Sequence, residues 1–175
     1  MNNALGGLFS SRINMNLRER RGYSYGTRSQ FVFLKNPGPF LVAGGIRTDA
    51  TAPAVTEIFN EIAGMIAQPM GVDELQKAKE ALATSLPGAF ETSVNVVNSF
   101  STIFIYDLGL DYYTRYAQEV RAVTAEQALE VARKYLVADR LVVIAVGDRK
   151  VIEADLRKLN LGAVEIRDAE GRPVS

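Results

Sequence analysis

Residues 5–26, LGGLFSSRINMNLRERRGYSYG, decide how this chain starts to fold. Leu5, Leu8, Phe9, Ile13 and Leu17 recur at helical spacing, which predicts an amphipathic helix with one apolar face. Arg18-Glu19-Arg20-Arg21-Gly22 marks its end. Cations are favoured at the negative end of the helix dipole, and glycine is a natural stop. Tyr23-Ser24-Tyr25 then reads as an extended, aromatic-rich segment. The stretch is a helix-to-strand corner that sets a cationic helix end beside two phenols.

Beyond the corner, residues 23–35 and 39–47 read as two strands. Phe31-Val32-Phe33-Leu34 and Phe40-Leu41-Val42-Ala43 are β-rich, and Asn36-Pro37-Gly38-Pro39 suits a reversal. Gly44-Gly45 inside the second strand implies a bulge or a close backbone approach. A helix capped by Thr48 or Thr51 follows, with Val55, Ile58, Phe59, Ile62 and Ile66 inward and Pro69 and Gly71 beyond its end. The next helix starts near Asp73, with Leu75, Ala78, Leu82 and Leu86 inward. After the break at Pro87-Gly88, a long helix from about Glu91 to Leu108 carries Val94, Val97, Ser101, Phe104, Ile105 and Leu108 on a broad apolar side. A tyrosine-rich helix from Asp111 ends near Val123, and Thr124-Ala125-Glu126-Gln127 offers a capping box for a helix to Leu136. Residues 141–146, LVVIAV, are short and apolar enough for a strand buried on both faces. Helical spacing returns over 151–159, and 164–166 reads as a last strand.

This clustering predicts an α+β fold, a largely antiparallel sheet with helices packed mainly on one face. A chain of 175 residues holds one sizeable core. We read residues 1–167 as a single domain and 168–175, DAEGRPVS, as a polar tail that frays. The start almost inside a helix suggests a piece of a longer polypeptide.

Hydrophobic residues make up 47% and charged residues 23%, the balance of a soluble globular protein. Twenty basic and twenty acidic side chains cancel, which argues against a nucleic-acid partner. No segment is apolar and long enough to span a bilayer, and the missing leader leaves cytoplasm and periplasm equally open. Cysteine and histidine are both absent, so there is no thiolate nucleophile, no serine triad and no imidazole ligand for a metal. Glu57 with Glu61, and Asp107 with Asp111, have i,i+4 spacing. Zinc binds poorly to carboxylates alone, so these pairs read as solvated helix faces. No cofactor or metal is expected in this chain.

Leu5-Gly6-Gly7, Phe9-Ser10-Ser11-Arg12, Leu17-Arg18-Glu19 and Gly22-Tyr23-Ser24-Tyr25 together resemble the start of the C-terminal half-domain of insulinase/pitrilysin-type zinc metallopeptidases, a family that includes the mitochondrial processing peptidases. Val42-Ala43-Gly44-Gly45 and Val72-Asp73-Glu74-Leu75 with Ala78-Lys79 fit the same half-domain. The resemblance implies an α+β half whose strands before Leu5 are missing, leaving a sheet edge to be paired or exposed. It implies the half without metal, facing a zinc-bearing half that carries an H-x-x-E-H motif. It further implies that Arg18 and a tyrosine seven residues later, Tyr25, contact substrate near that metal, with Tyr23 as the alternative. A guanidinium is a rigid fork of donors, and a phenol can donate to a carbonyl or a developing oxyanion.

Other readings stand beside this one. Arg18 could pair with Glu19 and Tyr25 could pack beside Phe31 and Phe33, while Arg12 could hold the helix against the sheet through an acid. The expected partners are a zinc-bearing half-domain or subunit and an extended peptide, with a homodimer left open. The expected function is the non-catalytic half of a zinc peptidase, inactive alone. A non-proteolytic assembly subunit of the same family and a free-standing peptide-binding module are the alternatives.

Overall fold

In the computed structural model, which describes residues 1–174, the strands β1 (Ser24–Phe31) and β2 (Phe40–Ile46) pair antiparallel. They lie within the two stretches expected from sequence. The intervening loop closes where Val32 N–H donates to Pro39 O, and the Phe31 and Phe40 rings meet at 4.9 Å. Register slips once: Ser24 is opposite Ile46 but Gly26 is opposite Gly45, so Tyr25 is an extra residue in a bulge. Across the ladder, a Cβ on Gly44 would sit 2.8 Å from Gly26 O and 2.8 Å from Thr27 Oγ1. The glycine pair therefore accompanies both a bulge and a close approach.

The opening segment is helical but is not one helix. A π-helical turn, Asn3–Gly7, ends in extended backbone at Leu8. The chain re-enters a helix after Ser11, through α1 (Arg12–Asn14), and continues as a second π-helical turn, Met15–Arg20. Gly6-Gly7 and Ser10-Ser11 account for the break, because glycine weakens a helix and serine favours its ends. Leu5, Ile13 and Leu17 are buried as expected. Phe9 falls in the break and is 67% exposed.

Six further helices follow: α2 (Thr51–Ala67), α3 (Val72–Ser85), α4 (Ser93–Tyr106), α5 (Tyr112–Ala122), α6 (Ala125–Tyr135) and α7 (Arg149–Lys158). The core joins Leu5, Ile13 and Leu17 to Ile62 and Met65 of α2, Ala78 of α3, and Ala128 and Ala132 of α6, with Ile58 and Ile66 against its edge. The architecture is the α+β class expected. The capping box on α6 is present in both directions: Gln127 N–H donates to Thr124 Oγ1 at 3.2 Å, and Thr124 N–H donates to Gln127 Oε1 at 2.9 Å.

Three expectations are corrected. Residues 141–146 carry no regular secondary structure and join no ladder among the described residues, and Val142, Ile144 and Val146 are 82, 85 and 96% exposed. The run has strand chemistry, but no neighbouring strand completes it among the described residues. Residues 164–166 are not a strand either. The tail turns back through a lone bridge between Arg167 and Pro173, with Val174 N–H on Ile166 O at 2.9 Å. On α4, Ser99 and Ile103 are buried, while Val94, Val97, Phe104 and Ile105 face solvent. Its chief neighbour is the 3₁₀ turn Leu86–Phe90, where Ser99 Oγ–H donates to Ala89 O at 3.0 Å. A helix with one main neighbour buries one narrow stripe.

The first π-helical turn rests on β1 through Gly6. A Cβ there would lie 2.5 Å from Ser29 Oγ and 2.9 Å from Ser29 N, so backbone as well as side chain blocks it. Gly6→Ala is expected to cost about 1–3 kcal/mol by forcing the turn off the strand, read as a lowered urea midpoint. An unchanged midpoint would mean that this close approach is not required.

Candidate functional site

A buried polar seam joins the opening segment to β1. Ser24, Thr27 and Ser29 form the inward face of the strand, and all are buried. Asn14 spans the seam: its Oδ1 accepts Thr27 N–H at 2.8 Å, and its Nδ2 donates to Leu8 O at 3.1 Å. Ser24 Oγ–H donates to Gly45 O at 2.8 Å and accepts Gly26 N–H at 3.0 Å, closing the bulge around Tyr25. At the other end, Ser29 Oγ–H donates to Asn2 Oδ1 at 2.7 Å. Small polar side chains let backbone approach backbone, and each buried donor finds an acceptor.

Two ionic anchors fix the same segment to the helices. Arg12 reaches Glu74 of α3 with Nε at 2.5 Å and Nη2 at 2.7 Å, a bidentate pair. The hydrogen bond to Glu74 pushes the Arg12 guanidinium above its ordinary value. The pairing expected of Arg12 is therefore present, but it holds the segment to α3 and not to the sheet. Asn16 Nδ2 lies 2.8 Å from Glu57 and 2.7 Å from Glu61 on α2, and Arg21 pairs with Glu57 at 2.8 Å. These two carboxylates are thus structural anchors, not a solvated face. Asp111 pairs with Arg115 at 2.8 Å, and Asp107 is the left-handed C-cap of α4. Asn14 and Asn16 were not singled out from sequence. The available signal was an asparagine pair inside an apolar helical pattern, where asparagine is normally disfavoured.

Arg18 lies in the second π-helical turn with its guanidinium 4.1 Å from the Phe9 ring centroid. Glu19 is 3.5 Å from Nη1, yet Nη1 is buried and makes no hydrogen bond. Tyr25 is 98% exposed and its hydroxyl has no partner among the described residues. It does not pack beside Phe31 or Phe33. Tyr23 is half-buried against the core, near the Arg21 guanidinium at 5.9 Å. No hydrogen bond or cation–π contact joins Arg18 to Tyr25. Both stand on irregular backbone, one in a π-helical turn and the other in a bulge, at the two ends of the corner.

No group of three or more acidic side chains could hold a metal among the described residues, and the sequence has no histidine or cysteine. The residues present do not fit zinc. A hollow of about 520 Å³ lies elsewhere, between α7 and the C-terminal residues, lined by Arg149, Arg157, Glu165 and Arg167. Glu153 and Glu165 pair with those arginines. Among the described residues, no helix is long and apolar enough to cross a membrane.

Residues 1–82 match the family described as the peptidase M16 inactive domain. The fold is similar to that of a peptidase M16 inactive domain from Pseudomonas fluorescens, with 26% identity and a TM-score of 0.69 over 77% of this chain and 32% of that one. It is also similar to a conserved protein from Enterococcus faecalis, at 20% identity and TM-score 0.65 over 76% of this chain and 31% of that one. A protease from Helicobacter pylori gives 20% identity and TM-score 0.64 over 78% of this chain and 33% of that one. The last two likenesses concern the fold alone. This chain spans about a third of the length of each of these three. No curated protein is significantly similar to it. The first 82 residues thus match the M16 inactive-domain family, in agreement with the insulinase-type resemblance of the opening residues.

The exposures separate the two tyrosines experimentally. Tyr25→Ala is expected to leave stability within about 0.5 kcal/mol of wild type, as for a surface residue. Tyr23→Ala should cost about 1–2 kcal/mol of buried apolar area. Urea unfolding of both variants checks this, and equal losses would put Tyr25 in the packing. Calorimetric titration with zinc should show no tight, stoichiometric site.

Proposed function

We propose that this chain is the metal-free half of a zinc metallopeptidase. It closes over an extended peptide held against a zinc-bearing partner half and assists hydrolysis there. Residues 1–167 make up the half-domain and 168–175 its tail. Arg18 and Tyr25 are the substrate-facing pair, oriented at the carbonyl of the bond to be cut. The guanidinium holds a fixed positive charge at the carbonyl oxygen, and the phenol donates a hydrogen bond as that oxygen gains charge.

The bulge carries this reading. An extra residue in an otherwise regular ladder takes Tyr25 out of pairing, and the phenol has no partner among the described residues. Bulges recur beside active sites because they re-aim a side chain. Tyr23, turned against the core, suits the role less well. Because Tyr25 stands on an open surface, a second body is needed to exclude water.

A second reading, a non-proteolytic assembly subunit, is favoured by the outer face of α4. There Val94, Val97, Phe104 and Ile105 offer an apolar surface to a neighbour. A third, peptide binding without a partner, requires affinity for extended peptides by this chain alone.

The test mixes the chain with a zinc-bearing half and follows peptide turnover. Arg18→Ala and Tyr25→Phe are each expected to lower kcat by about 10²–10³, the loss on removing one donor to an oxyanion. Unchanged turnover in both would remove these residues from the reaction. Stable assembly without turnover, in a partner lacking the H-x-x-E-H motif, would favour the scaffold.

A further inference from the structure

Arg18 is held differently from the other paired arginines of the corner. Nε and Nη2 of Arg12 reach Glu74 at 2.5 and 2.7 Å, and Arg21 reaches Glu57 at 2.8 Å and Asn16 Oδ1 at 3.1 Å. An acceptor that grips a guanidinium in this way also occupies its donors. Arg18 makes no side-chain hydrogen bond among the described residues, although its Nη1 is buried. Glu19 stands 3.5 Å from that nitrogen in a half-exposed pair, a weak restraint.

The group that faces Arg18 is Phe9, whose ring centroid lies 4.1 Å from Cζ. An aromatic ring attracts a cation through its quadrupole, so it does not need N–H groups aligned on a lone pair. A ring therefore restrains the guanidinium and leaves its donors for another acceptor.

The local fold builds this contact. In one continuous helix, residues 9 and 18 would lie about 13.5 Å apart along the axis and on opposite faces. The break over residues 8–11 redirects the chain, and Arg18 returns on the π-helical turn Met15–Arg20. Phe9 stays outside the core cluster and buries little apolar area of its own.

We propose that Phe9 is a positioning residue whose ring aims the Arg18 guanidinium at the substrate carbonyl without consuming the donors that bind it. The inference rests on the substrate-facing role of Arg18 proposed above. Phe9 touches no reacting atom and acts through Arg18.

Phe9→Leu keeps an apolar side chain and removes the quadrupole, whereas Phe9→Tyr keeps the ring. With the chain mixed with a zinc-bearing half, Phe9→Leu should lower kcat about 3–10-fold at nearly constant KM, and Phe9→Tyr should restore it. Combined with Arg18→Ala, Phe9→Leu should cost nothing further, because no guanidinium is left to position. In the chain alone, nuclear magnetic relaxation of the Arg18 Nε–H bond should show lost order in Phe9→Leu. Arg12 should keep its order, and the urea midpoint should stay at the wild-type value. Wild-type turnover in Phe9→Leu beside a slow Arg18→Ala overturns the inference alone, as does unchanged order at Arg18. So does an equal loss from Phe9→Leu with and without Arg18, which would give the ring a role of its own. Wild-type turnover in Arg18→Ala overturns both the inference and the reading beneath it.

Discussion

The acceptor that Asn14 presents to Thr27 N–H is the constraint from which the corner follows. This amide is buried at the edge of β1 away from β2, and it is Asn14 of the opening segment, not the ladder, that accepts its hydrogen bond. A buried unpaired amide costs about 1–3 kcal/mol. The side chain that satisfies it must come from a helical turn lying directly on the strand. That closeness explains why the inward face of β1 is Ser24, Thr27 and Ser29 instead of larger apolar residues, and why Gly6 is needed above Ser29. The same residues draw Ser24 Oγ onto Gly45 O and Gly26 N, and the register slip falls between those contacts. Tyr25 is turned outward as a consequence of packing one face with hydrogen bonds.

The arginines of the opening segment sort by what their donors already do. Arg12 is engaged by Glu74 through Nε and Nη2, and Arg21 is divided between Glu57 and Asn16 Oδ1. Arg18 differs: it is stacked on Phe9, its neighbour Glu19 sits too far for a good hydrogen bond, and one nitrogen is buried with nothing to donate to. Unmatched donors on a buried nitrogen are rare because desolvation is uncompensated. Phe9 matters here as a platform: its exposure, unexpected from a helical face, places an aromatic ring beneath the guanidinium.

Much of the fold was legible because its signals are local. The α6 capping box lies within four consecutive residues, Thr124 to Gln127, and the two strands with their glycine pair carry their own turn chemistry. What stayed hidden depends on partners. Helical spacing marks an apolar side on α4, but burial requires something to pack against, and its chief contact is one 3₁₀ turn. A six-residue apolar run reads as a buried strand, yet a ladder needs a second strand that spacing cannot supply. The site was legible to a similar depth. The pairing of Arg12 could be expected from its charge. Its partner on α3, 62 residues away, and the carboxylates that grip Asn16 belong to tertiary structure.

The two irregular backbone segments bear on how such a corner could serve a partner. A π-helical turn displaces the residues that follow it relative to a regular helix, and a bulge displaces one strand residue relative to its neighbours. Both cost hydrogen-bond regularity, so they persist only where surrounding contacts over-determine them. Here the contacts are the Arg12, Asn16 and Arg21 anchors on the helical side and the Asn14 and Ser24 bonds on the strand side. Arg18 and Tyr25 each sit on a rigid frame without being part of it. Removing either side chain leaves the anchors intact, as a group acting on an external substrate requires, whereas Arg12 or Asn14 could not be removed without loosening the corner itself.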